Sequence, residues 1–141
     1  MWARRKRRRR VSSITKHYTE HKEQARKLVQ ARLMYFNQHY TLEWNRVAIR
    51  NQRRCWGSCS SQKNLNFSYK LLLLPSHLCD YIIVHELCHL QEMNHGPQFW
   101  SLVAETIPDY KERIKQLKQI ERLGQSVQML EKIRNATQTT V

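Results

Sequence analysis

Residues 76–93 constrain this chain more than any other segment. They are apolar on nearly every side, yet they contain His85, Glu86 and His89. Leu78, Tyr81, Ile82, Val84, Leu87, Cys88 and Leu90 recur so densely that no continuous polar face remains, as in a helix buried in the middle of a domain. Pro75 ends the aliphatic run 71–74, and Ser76 is the expected N-cap. A carboxylate and two imidazoles in such surroundings are costly to bury without partners. The rest of the fold has to be arranged around a polar site set in an apolar helix.

The spacing says what that site can be. Residues four apart on a helix share a face, so His85 and His89 of His85-Glu86-Leu87-Cys88-His89 can reach one metal ion. Neutral imidazole suits zinc. Glu86 lies about 100° round the helix from His85, beside the ion and not on it. There it can take a proton from a water whose pKa a metal lowers to about 7.

A catalytic zinc needs a third protein ligand and one open position, and His95 is the candidate. On an unbroken helix His95 would lie about 15 Å along the axis from His85. The chain must therefore turn near Met93 and Asn94, with Asn94 expected in the left-handed conformation, before Gly96 and Pro97 open the next helix. Glu105 and Asp109 are the competing third ligands. His77 reads as a helix-start residue, and His17, His21 and His39 read as surface positions.

Around this segment the pattern changes period. Residues 18–39 carry Leu28, Ala31, Leu33, Tyr35 and Phe36 at helical spacing, with Thr15 or Thr19 as the expected cap. Val47 and Ile49, and then Leu65, Phe67 and Tyr69, alternate with polar residues and read as two strands, expected to pair as an antiparallel hairpin or meander. The intervening residues 56–61 are turn formers. Arg53 and Arg54 followed by a tight Trp56-Gly57-Ser58-Cys59 turn could bind a substrate carbonyl or brace the site. Phe99, Trp100, Leu102 and Val103 predict a helix that ends before Pro108. A last helical stretch over 109–134 should break or kink at Gly124. The expected class is α+β, a small antiparallel sheet packed with a buried helix and surrounded by others.

At 141 residues the chain can bury one core. Its expected divisions are a basic disordered arm over 1–15, a catalytic domain over 16–123 and a helical extension with a tail over 124–141. Half of the net charge of +14 sits in residues 1–10, which carry seven basic and no acidic side chains. Such a run is a solvated arm or a contact to nucleic acid or a membrane surface. Val11 and the residues after it are too polar for a signal peptide, and no apolar run approaches the about 20 residues of a membrane span. The expectation is a soluble, cytoplasmic protein. Cys55, Cys59, Cys79 and Cys88 do not form the paired CxxC of a zinc ribbon and are expected to be thiols.

Taken in order, Arg54-Cys55-Trp56-Gly57-Ser58-Cys59-Ser60, Asn66, Leu74-Pro75, the run from Asp80 to Leu90, Asn94-His95, Phe99-Trp100 and Pro108-Asp109-Tyr110 resemble the YgjP-like metallopeptidase domain. That group is related to the WLM-type and SprT-like minimal zincins. The resemblance covers roughly residues 18–122. It implies a zincin-like fold and a zinc-dependent peptidase acting on peptide or protein substrates, with Zn²⁺ on His85, His89 and His95 and Glu86 as the catalytic general base. Cys55 departs from the family pattern, in which arginine directly precedes Trp-Gly-Ser-Cys. Tyr110 is weighed as an oxyanion donor and not favoured. The alternative reading is a nucleic-acid-associated zinc protein, either a SprT-like protease on DNA-bound proteins or a non-catalytic metal-binding module.

Overall fold

Five helices and three short strands make up the protein in a computed structural model that describes residues 12–52, 54–124 and 126–138. Helix α1 (Ser13–Tyr40) starts earlier than the apolar pattern implies because Ser12, and not Thr15 or Thr19, caps it. The Ser12 side chain accepts a hydrogen bond from the Thr15 amide at 3.2 Å. The helix buries Ala25, Val29, Leu33, Phe36 and Tyr40 along one stripe. It ends at Thr41, whose φ of 52° is left-handed.

Strands β1 (Arg46–Arg50), β2 (Gly57–Cys59) and β3 (Asn64–Ser68) form one sheet in the order β1-β3-β2. The sheet is mixed, which corrects the expected antiparallel arrangement. β1 runs parallel to β3, and β2 runs antiparallel to it. Residues 51–63 separate β1 from β3, long enough for the crossover that parallel neighbours need, and that crossover itself contains β2. The turn-forming residues 56–61 thus hold a strand that local propensity does not announce. Gly-Ser-Cys has no β-branched or aromatic residue, and its extended form comes from pairing with Leu65, Asn66 and Phe67. A tight turn with Lys63 at φ 64° returns the chain to β3.

A 3₁₀ turn over Tyr69–Leu73 leads to α2 (Ser76–Cys88). Pro75 occupies the cap position, and Ser76 is the first helical residue, not the N-cap. The helix is buried on nearly all sides, as its composition requires. Arg32 of α1 clamps Asp80 of α2 through two hydrogen bonds of 2.8 and 2.9 Å. α3 (Pro97–Ala104) begins on its proline, and α4 (Tyr110–Leu123) stops at Gly124, whose φ of 102° suits glycine alone. α5 (Val127–Gln138) contributes Leu130 to the same core. The basic residues 1–10 lie outside the described residues. No described helix is long and apolar enough to cross a membrane.

Candidate metal centre

α2 ends at Cys88, earlier than residue 93, and this early stop assembles the site. The amides of Leu90, Gln91 and Glu92 close back onto the carbonyls of Leu87 and Cys88, so the chain turns immediately after His89. Asn94 does not take the left-handed conformation expected of it; among the described residues other than glycine only Thr41 and Lys63 have a positive φ. The bend is spread over residues 89–96 and needs no single strained residue. It brings His95 back across the face that carries His85 and His89.

The three Nε2 atoms converge. They are 3.1 Å apart for His85 and His89, 3.0 Å for His89 and His95, and 3.2 Å for His95 and His85. Three imidazole nitrogens facing one point cannot all donate to one another. His89 Nδ1 lies 2.9 Å from the Glu92 carbonyl, and donation there leaves Nε2 as a bare lone pair. His85 Nδ1 lies 3.0 Å from the Tyr81 hydroxyl, which can hold the same tautomer. Burial pushes the pKa of His85 down to about 3, with the neighbouring His89 and His95 adding to the effect. Burial also lowers that of His89. Neutral, converging donors are what a cation requires. A tetrahedral ion with bonds of about 2.0–2.1 Å holds its ligands about 3.3 Å apart, close to the spacing here. Among the described residues no other group of three His, Cys, Asp or Glu side chains gathers its ligand atoms in this way.

Glu86 stands beside the triad. Its Oε1 is 4.0 Å from His85 Nε2, and its side chain is 9% exposed. Burial raises its pKa to about 7. The two competing third ligands lie elsewhere: Glu105 is 3.9 Å from His39, and Asp109 pairs with Arg113 at 3.2 Å. His77 takes the expected position in the first turn of α2, bonded to Gln116. His17 and His21 are half-buried instead of fully on the surface, with His17 bonded to the Tyr69 hydroxyl at 3.2 Å.

Two sets of residues near the site take roles that the sequence left open. Phe99 stacks on His89 with centroids 4.4 Å apart and meets His85 and His95 edge-on, while Trp100 stacks between His95 and Tyr110. This aromatic wall fixes the planes of the imidazoles, and its signal was the apolar pair four and five residues beyond His95. The other is Gly57. A Cβ there would meet the Glu86 Cγ and the Asn66 carbonyl oxygen at 3.0 Å each, so only glycine lets β2 lie directly on the carboxylate. Trp56 is buried, and its Nε1 donates to Glu121 of α4 at 3.0 Å, which ties the start of β2 to that helix. The tryptophan therefore braces the site, and Arg54 is exposed.

The sequence model for the YgjP-like metallopeptidase domain matches residues 3–120. The chain belongs to the YgjP-like metallopeptidase family. Membership implies a bound metal ion and a protein substrate, and the three histidines form a group that could hold such an ion. Two solved structures share the fold. The metallopeptidase zymogen abylysin of Pyrococcus abyssi superposes with a TM-score of 0.57 at 23% identity, covering 63% of this chain and 90% of that one. The metallopeptidase zymogen jannalysin of Methanocaldococcus jannaschii gives 0.51 at 24% identity, covering 70% and 96%. No match was found among curated proteins.

Proposed function

We propose that this YgjP-like domain is a zinc-dependent peptidase in which His85, His89 and His95 hold Zn²⁺ and Glu86 is the general base. The observation that carries the reading is the meeting of three lone-pair nitrogens at 3.0–3.2 Å beside a buried carboxylate. An all-imidazole set of three suits zinc and leaves one position open, the arrangement of catalytic sites. When bound, zinc would polarise the scissile carbonyl and acidify a water at neutral pH.

The protein's own groups do the rest. Glu86 takes a proton from the attacking water and returns it to the leaving amine. Its raised pKa, about 7, suits a group that must both accept and release a proton near neutrality. Gly57 lies against the carboxylate's stem and leaves it room. β2 is an edge strand running past Glu86, so an extended peptide can add to it by main-chain hydrogen bonds and lie across the site. A cytoplasmic setting agrees with four free cysteines.

Metal analysis of the purified protein beside its His95→Ala and Glu86→Gln variants tests the reading. Zinc should be stoichiometric in wild type and Glu86→Gln and lost in His95→Ala. Glu86→Gln should lose at least about a hundredfold in peptide hydrolysis. A Glu86→Gln protein that cleaves as well as wild type would refute the role of the carboxylate.

A further inference from the structure

We infer that Tyr81 is a positioning residue of the metal centre, whose hydroxyl holds the outer nitrogen of His85 and so presents its inner nitrogen to the ion. The inference deepens the proposed function and rests on the zinc reading of the triad.

The three histidines are secured in three different ways. His89 Nδ1 lies 2.9 Å from the Glu92 carbonyl, a backbone group that no substitution removes. His95 is exposed, so water can serve its outer nitrogen. His85 is mostly shielded from solvent, and its Nδ1 lies 3.0 Å from the Tyr81 hydroxyl oxygen. Among the described residues it is the one histidine of the triad whose outer nitrogen depends on another side chain.

Tyr81 precedes His85 by four residues on α2, so the two side chains share a face one turn apart. The tyrosine is buried and meets the imidazole edge-on, with ring centroids 5.6 Å apart. Packing of the ring fixes where the hydroxyl sits.

The direction of the bond follows from what a cation takes. A neutral imidazole carries one hydrogen. With its Nε2 lone pair on an ion, His85 must carry that hydrogen on Nδ1 and donate it to Tyr81. Without the ion the ring has a second choice. It can place the hydrogen on Nε2, where the lone pair of His89 Nε2 stands 3.1 Å away, and Tyr81 then donates to Nδ1. A hydroxyl serves both arrangements because it donates and accepts. Deleting it affects the two states unequally. The loaded state is left with a shielded N–H that has no partner, the costlier kind of orphan, whereas the empty state can turn its N–H toward His89.

The residue type matters as well. A carboxylate at position 81 would accept the same hydrogen, but it would add a second charge to the apolar helix that already buries Glu86. The phenol supplies the hydrogen bond and is uncharged at neutral pH.

The test is the zinc dissociation constant of the full chain, read by competition with a chromophoric chelator, in wild type, Tyr81→Phe and Tyr18→Phe. Phenylalanine keeps the buried ring and removes only the hydroxyl. Tyr81→Phe should bind zinc about 10–100-fold more weakly. Tyr18→Phe, which loses a hydroxyl bond to the Ile49 carbonyl of β1, should bind as wild type does. In the imidazole NMR spectrum of the zinc-loaded protein, the His85 Nδ1 proton should move upfield in Tyr81→Phe while that of His89 keeps its position. A folded Tyr81→Phe with wild-type zinc affinity would overturn the inference, as would an equal loss of affinity in Tyr18→Phe. If Tyr81→Phe fails to fold by circular dichroism, zinc-loaded wild type decides: its His85 Nδ1 proton should exchange with water more slowly than that of His95, and equal exchange would overturn the inference. A wild type that takes up no zinc would refute the proposed function itself, and this inference with it.

Discussion

The two faces of the small sheet are built from the same alternating strands and do opposite work. The inner face sets Ile49, Leu65, Phe67 and Gly57 toward the core, and Gly57 lies against the stem of Glu86. The outer face carries the exposed Arg46 and Arg50 and the half-buried Asn64 and Asn66. Three residues of β2 suffice to connect them, because strand neighbours point to opposite sides. Tolerance to change should therefore differ sharply between adjacent positions.

Phe67→Ala should have the largest effect. The ring is fully buried, and its loss should cost about 3–5 kcal/mol, read from the urea midpoint. A cost below about 1 kcal/mol would mean that the inner face is not the packed core described here. Gly57→Ala comes next. Its methyl group would press on a backbone oxygen that cannot yield and on the Glu86 stem, so we expect a cost of about 1–3 kcal/mol. Peptide hydrolysis should fall more than tenfold with zinc retained, because the carboxylate and not the ligand set is displaced.

The third prediction concerns pH in chelator-stripped protein. Burial raises the Glu86 pKa to about 7 from an unfolded value near 4.5. Between these values the native state holds the extra proton, so the stability linked to this group is fully present below about pH 4.5 and is lost as pH rises through 7. Glu86→Gln should therefore stabilise the metal-free protein by about 1–3 kcal/mol at pH 8 and by almost nothing at pH 4.5. His85 contributes with the opposite sign. Its pKa falls to about 3, so its stabilisation is present above about pH 6.5 and is lost as pH drops toward 3. That contribution is common to both proteins and cancels in their difference. An equal gain at both pH values would remove ionisation of Glu86 as the cause. The smallest effect belongs to the outer face: Arg46→Ala and Arg50→Ala should each shift stability by less than about 0.5 kcal/mol. A larger shift would show that this face packs and is not open.

Much of the site was legible along the chain. The apolar helix and the four-residue spacing of His85 and His89 are local features that follow from helix geometry, whereas the turn that returns His95, expected near Met93 and Asn94, begins at His89. The break at Gly124 is local in the same sense. The direction of β1 was not legible, because alternation gives a strand its two faces but not the sense of its neighbour. β2 was hidden by turn-forming residues, since its extended form is imposed by β3. The Ser12 cap was missed because Thr15 and Thr19 offer similar hydroxyls, and only the realised bond to the Thr15 amide separates them.

The sequence by itself determined that two histidines and a carboxylate sit on a buried helix, because a helix converts spacing directly into a shared face. Only the tertiary structure decided that β2 lies on Glu86 through Gly57, that Phe99 and Trp100 wall the histidines, and that Arg46 and Arg50 share the exposed side of β1. Those are contacts between segments distant in the chain, and pairing and packing across the core set them where local periodicity has no say.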